Sequence, residues 1–221
     1  MFKKMSKLSI KRITEAMVMA AVMGCSVYGY AAPAATELPD LNHIVNGIDG
    51  QIITKTEKID GIDHATMTIN QAANANVARI DWNSFNIGSN AIVNVKQALS
   101  SQTLINNVVG NKMSEIYGKI NATGNIVLIN PKGAVFGGNT QVNVGGLSVY
   151  ATEVTGLEDA RSTSFELSKN SKLQGNITVE GNSQINVGIG YALYAKQQLA
   201  NLGVESGMVI PDEDYTLVWY T

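Results

Sequence analysis

Short apolar runs with a two-residue period, none able to bury its own face alone, recur along this chain from residue 51 onward. They are Gln51-Ile52-Ile53-Thr54, Ala65-Thr66-Met67-Thr68-Ile69, Ala91-Ile92-Val93-Asn94-Val95 and Gln141-Val142-Asn143-Val144, followed by Ser164-Phe165-Glu166-Leu167, Asn176-Ile177-Thr178-Val179 and Gln184-Ile185-Asn186-Val187. Alternation at period two, bounded by Gly, Asn and Ser, marks half-buried β-strands. Residues 120–187 contain neither the long helical segments of βαβ units nor a regular two-residue hairpin signal. Strands of this kind suggest coils stacked on their neighbours, as in a parallel β-helix, although the repeat is imprecise. Asn106, Asn107, Asn121, Asn125, Asn130, Asn139, Asn143, Asn176, Asn182 and Asn186 suit its corners. Asparagine tolerates the left-handed region and bonds its own backbone.

One corner is chemically explicit. Asn130-Pro131-Lys132-Gly133 lies between the apolar run Ile126-Val127-Leu128-Ile129 and Ala134-Val135-Phe136-Gly137-Gly138. Asn first, Pro second and Gly fourth fit a type I turn: Asn bonds back to its backbone, Pro presets φ and Gly relaxes the exit. Lys132 is expected to point outward. On this local account, replacing Asn130 or Pro131 by Ala costs about 0.5 to 1 kcal/mol each.

The turn and its flanks, continuing to Val142-Asn143-Val144-Gly145-Gly146-Leu147, resemble the NPNG-type motif in the amino-terminal secretion domain of the filamentous haemagglutinin family, the exported partners of two-partner secretion systems. The likeness extends upstream through Ala78-Arg79-Ile80-Asp81-Trp82-Asn83-Ser84-Phe85-Asn86-Ile87-Gly88 and Val93-Asn94-Val95-Lys96-Gln97. It includes Leu104-Ile105-Asn106-Asn107-Val108-Val109-Gly110 and Ser114-Glu115-Ile116-Tyr117-Gly118-Lys119-Ile120. Lys132 departs from the family's Asn, and no NPNL-type motif stands upstream. The resemblance implies an all-β, right-handed parallel β-helix with an amino-terminal cap, assigned to residues 41–80, and a small antiparallel extra sheet. Asn130, Pro131, Lys132 and Gly133 carry the secretion motif. Trp82, Phe85, Gly88, Asn106, Gly118, Val142, Asn143, Gly145 and Gly146 match the family structurally. The implied function is secretion and folding nucleation of a longer exoprotein, with an outer-membrane transporter bearing POTRA domains as partner. The alternative is a surface adhesin acting directly on a host or neighbouring cell through downstream regions, or a truncated remnant of one.

The amino terminus reads as a secretory signal addressed to the general secretion machinery. Lys3, Lys4, Lys7, Lys11 and Arg12 precede an apolar core over residues 16–28, and Gly29-Tyr30-Ala31 offers a cleavage site after Ala31. A core of about 13 residues falls short of the ~20 that span a bilayer. Lipidation at Cys25 is a second route. Cys25 is the only cysteine, so cleavage after Ala31 leaves none to form a disulfide that would obstruct passage of an unfolded chain through a pore. Taking the five basic residues and one acidic residue of this segment from totals of 16 and 18 leaves 11 against 17, a net charge of −6. That balance opposes nucleic acid or anionic lipid as a partner. The expected organisation is residues 1–31 as signal, 32–187 as secretion domain and 188–221 as a tail, either a cap or a truncated continuation. Within the tail, Ala195, Leu199 and Leu202 before Gly203 predict a short helix over residues 191–202.

Enzymatic chemistry finds little support in the sequence. His43 and His64 are the only histidines, so no metal site is expected, and no cofactor motif is complete. Gly188-Ile189-Gly190 has Leu193 where a dinucleotide fingerprint needs Gly. Asp60 and Asp63 around Gly61 lack the rest of a calcium loop and read as a solvated turn. Arg79 and Asp81 share one strand face, without the concentration of carboxylates that acid–base catalysis needs. Trp82 and Phe85 read as core, with an exposed recognition pair as the alternative.

Overall fold

The computed structural model describes residues 32–157, 159, 166–167, 175–194 and 217–219 of this chain. The expected signal segment, Cys25 included, lies outside them. The strands wind into a parallel β-helix with three faces. The first face stacks β3 (Ile62–Asn70), β5 (Ala91–Lys96), β8 (Lys119–Ala122) and the leading halves of β11 (Gln141–Tyr150) and β15 (Gln184–Tyr194). The second stacks β4 (Val77–Ser84), β6 (Thr103–Val108), β9 (Asn125–Ile129) and the trailing halves of β11 and β15. The third consists of β7 (Ser114–Ile116), β10 (Ala134–Phe136) and β14 (Ile177–Val179).

Antiparallel strands close the first coil. β1 (Asp40–Asn46) pairs with β4, and β2 (Ile53–Ile59) forms a hairpin with β3, so the expected cap is present. A bare coil edge is a row of unsatisfied backbone groups, and the cap covers it. The extra antiparallel sheet is β12 (Val154–Thr155) with β13 (Glu166–Leu167). β16 (Leu217–Trp219) pairs antiparallel with Tyr191, Ala192 and Leu193 of β15. The expected helix over residues 191–202 is corrected over its first turn, because residues 191–194 complete β15. Their backbone is held in register with Leu147 to Tyr150 of β11, and that tertiary pairing overrides a weak helical preference. The remainder of the expected helix lies outside the described residues.

Side chains from the three faces meet in one interior. Met67, Val93, Ile120 and Val142 form a register column on the first face; Ala78, Leu104, Ile126 and Leu147 form one on the second. Phe85, Ile87, Ile116, Ala134, Phe136 and Ile177 line the third side. A second, smaller cluster lies on the outer face of the second sheet, where Ile105, Val127 and Ile129 are buried with Val77, Tyr150, Val154 and Leu157. The segment after Tyr150 therefore supplies cover to that face. This double burial is why β6 and most of β9 lose the inside–outside alternation seen elsewhere.

Candidate functional site at the Asn130 turn

The corner between β9 and β10 is a closed turn. Gly133 N donates to Asn130 O at 2.9 Å, and Lys132 N donates to Asn130 Oδ1 at 2.9 Å. Lys132 is exposed, as its expected outward orientation requires, and Pro131 is half-buried. Gly133 has φ +104°, and a Cβ there would stand 2.5 Å from the carbonyl oxygen of Asn176. No other residue can occupy that position without displacing backbone.

Asn130 itself is buried and reaches both adjacent coils. Its Nδ2 donates to Lys112 O at 3.0 Å and Ser114 Oγ at 2.9 Å in the preceding coil. Its backbone N donates to Tyr150 O at 2.8 Å in the following one. Ser114 N donates to Gly133 O, and Ala134 N to Asn176 O, both at 3.0 Å. The turn is thus stitched below and above itself. Ser114 is the partner of Asn130 that local sequence reading does not single out, since nothing links residue 114 to residue 130 except the stacking.

The other residues that carry the resemblance do not converge on this corner. Trp82 and Phe85 are buried core, with ring centroids 5.6 Å apart in an edge-to-face pair. Trp82 Nε1 donates to Asn106 Oδ1 at 3.1 Å, and Asn106 Nδ2 donates to Val127 O at 3.2 Å, which satisfies a carboxamide inside an apolar column. Gly88 lies under the amino-terminal segment: its N donates to Glu37 O at 2.9 Å, and a Cβ would stand 2.0 Å from Ala34 O. Gly118 faces the carbonyls of Ala91 and Gly88 at 2.3 Å from an added Cβ. Val142 is core, and Gly145 N donates to Gly124 O at 2.8 Å. Gly146 pairs with Asn125 on one side and Gly190 on the other. Asn143 is a rung of an asparagine ladder. Nδ2 of Asn121 donates to Oδ1 of Asn94 at 3.0 Å, Asn143 to Asn121 at 3.0 Å and Asn186 to Asn143 at 2.8 Å.

Two polar clusters complete the geometry. At one corner Gln97 Nε2 donates to Gln71 Oε1 at 2.9 Å, Gly124 N donates to Gln97 Oε1 at 2.7 Å, and Gln102 Oε1 accepts from Ala98 N and Leu99 N. On the outer face of β4, Arg79 grips Asp81 with Nε–Oδ1 at 2.8 Å and Nη2–Oδ2 at 3.0 Å. Its Nη1 donates to Leu157 O at 2.6 Å, and Asn107 Nδ2 donates to Asp81 Oδ1 at 3.0 Å. Arg79 therefore latches the segment after Tyr150 to the helix. Burial, reinforced by Glu37 and opposed by Lys112, raises the Glu115 carboxyl above its usual range. No group of three metal-ligating side chains is assembled among the described residues.

The elements that carry these residues fall within one sequence family. The TPS secretion domain profile matches residues 47–214 of this chain. The chain belongs to the TPS secretion domain family. This TPS domain is the kind of module that directs two-partner secretion exoproteins, and a domain of this family implies a cognate outer-membrane transporter. It is 34% identical over 119 residues to a heme/hemopexin-binding protein of Haemophilus influenzae strain Rd, covering 54% of the chain and 12% of that protein. A second Haemophilus influenzae heme/hemopexin-binding protein is 32% identical over 106 residues, 48% of the chain and 11% of that protein. The matched segments thus span little more than a tenth of the length of these relatives. Among solved structures, the HMW1 secretion domain from Haemophilus influenzae aligns with a TM-score of 0.42 at 24% identity, covering 60% of this chain and 37% of that one.

Proposed function

We propose that this TPS domain delivers a larger exoprotein to an outer-membrane β-barrel transporter whose periplasmic POTRA domains bind it while unfolded. It then serves as the folding nucleus once the chain emerges outside the cell. An unfolded strand-rich segment can offer its backbone to a sheet edge and its alternate side chains to pockets, so β-augmentation is the recognition mode. The role is one of transport and nucleation, with no catalytic step assigned.

The observation that carries the nucleation reading is the two-sided bonding of Asn130. Its side chain requires Lys112 and Ser114 of the coil before, and its backbone N is satisfied only when Tyr150 of the coil after arrives. A corner of this kind completes coil by coil, and each completed coil buries apolar strands. That burial opposes return through the pore and supplies direction without ATP. The match to the heme/hemopexin-binding proteins is confined to a small share of their length, so the reading takes nothing from the binding named for those whole proteins.

The test is a reporter fused after Thr221 and expressed with and without the cognate transporter. Export is expected only with the transporter, and the unfolded segment is expected to be retained on isolated POTRA domains. Export that ignores the transporter would sink the proposal.

A further inference from the structure

β2 is the last strand of its sheet, and all seven of its residues are exposed. It projects with β3 as a hairpin closed by Asp60 and Gly61, whose φ values of 52° and 81° are those of a tight two-residue turn. Ile53 and Ile59 on β2 and Ile62 on β3 remain 57%, 48% and 53% exposed. A long edge strand with apolar side chains in water is a template for pairing, and proteins ordinarily blunt such edges.

The sequence of β2, Ile53-Thr54-Lys55-Thr56-Glu57-Lys58-Ile59, is complementary to itself when reversed. An antiparallel copy centred on Thr56 sets Ile53 opposite Ile59, Lys55 opposite Glu57, Thr54 opposite Lys58 and Thr56 opposite itself. Every charged residue then meets an opposite charge or a threonine. Centring on Lys55 or on Glu57 instead would oppose like charges directly, which is unfavourable. Backbone polarity selects the same register. Ile59 and Ile62 flank the two-residue turn, so Ile53, Lys55, Glu57 and Ile59 direct their backbone groups to β3. Thr54, Thr56 and Lys58 direct theirs outward, and closing them on a copy makes about six ladder bonds. The Lys55–Glu57 and Ile53–Ile59 pairs fall at the non-hydrogen-bonded positions, where facing side chains lie closest.

We infer that β2 is a self-association strand: two copies of this chain pair edge to edge, antiparallel about Thr56, and merge their sheets across a two-fold axis. Such a contact is isologous, so it closes at two copies and does not propagate. Within one chain Lys55 already contacts Glu57, and Lys58 lies 3.2 Å from Asp63. Pairing extends the first of these contacts across the axis and leaves the second in place.

Sedimentation of the purified chain over a concentration series is expected to show a monomer–dimer equilibrium. Glu57→Lys or Lys55→Glu alone should weaken it about tenfold or more, because each opposes like charges twice. Mixing the two single variants should restore a dimer, since one strand then offers two lysines and the other two glutamates. Thr56→Pro, which removes an outward N–H from an edge strand, should abolish association while leaving the β2–β3 pairing. A wild-type chain that stays monomeric at every concentration would overturn the proposal. So would a dimer indifferent to the charge variants, or a mixture of the two variants that fails to pair.

Discussion

Nδ2 of Asn130 donates to Oγ of Ser114 across 2.9 Å, joining a turn to the strand that lies one coil beneath it. The pair turns a local turn residue into a structural pin, and the energetic expectation changes accordingly.

Asn130→Ala removes bonds to Lys112 O, Ser114 Oγ and Lys132 N at a buried position. The loss should be about 2 to 3 kcal/mol, well above the 0.5 to 1 kcal/mol of a purely local Asx bond. Ser114→Ala should recover part of that loss in the double variant, because no orphaned hydroxyl remains. Lys132→Asn, at an exposed position, should stay within about 0.5 kcal/mol. Chemical denaturation of the four proteins checks all three statements.

Arg79→Ala leaves the Asp81 carboxylate buried with Asn107 as its nearest remaining donor, together with a distant His43 at 3.7 Å. A cost of about 3 kcal/mol is expected, and Arg79→Ala with Asp81→Ala should cost less than the single change. Loss of the bond to Leu157 O should also open residues 151–157 to protease before the rest of the domain. Limited proteolysis with mass mapping reads this directly.

Gly88→Ala places a methyl group against Ala34 O. The amino-terminal segment must withdraw, breaking Gly88 N to Glu37 O and Asn90 N to Ala35 O. Hydrogen exchange at these two amides should accelerate, while amides of β9 and β10 keep their protection.

The Glu115 carboxyl is raised by burial and by Glu37, with Lys112 acting against them. A folded-state pKa above the unfolded value gives a contribution that is fully present below the unfolded pKa and lost as pH rises through the folded one. Glu115→Gln should therefore melt slightly above the wild type near neutral pH. The difference should close below the carboxylate range, and thermal melts across pH 3 to 8 or so measure it.

Much of the helix was legible because period two survives wherever one face is wet, as in Ala65 to Ile69 and Val142 to Val144. The turn at Asn130 was legible because its residue types have local reasons. What stayed hidden depends on chain segments far apart. The spacing of Arg79 and Asp81 places them on one face, but Leu157 O lies 78 residues from Arg79 and no local pattern joins them. The hairpin at Asp60-Gly61 carries a usable signal, a dipeptide suited to positive φ between two alternating runs, but its acidic residues by themselves indicate only a solvated turn. The repeat itself was obscured because successive register partners on the first face, Ile92, Lys119, Gln141 and Gln184, are 27, 22 and 43 residues apart.

Those uneven intervals give the ladder Asn94, Asn121, Asn143 and Asn186 a meaning beyond its bonds. Its rungs are separated by the same 27, 22 and 43 residues, yet each donates to the one before it. A coil arriving one residue out of step would turn its asparagine to the opposite face and find no acceptor. The ladder therefore keeps phase while ignoring length. Between two rungs the chain is free to lengthen, as it does between Asn143 and Asn186, provided that it returns with an asparagine facing out, and new surface can be added to the fold without renumbering its core.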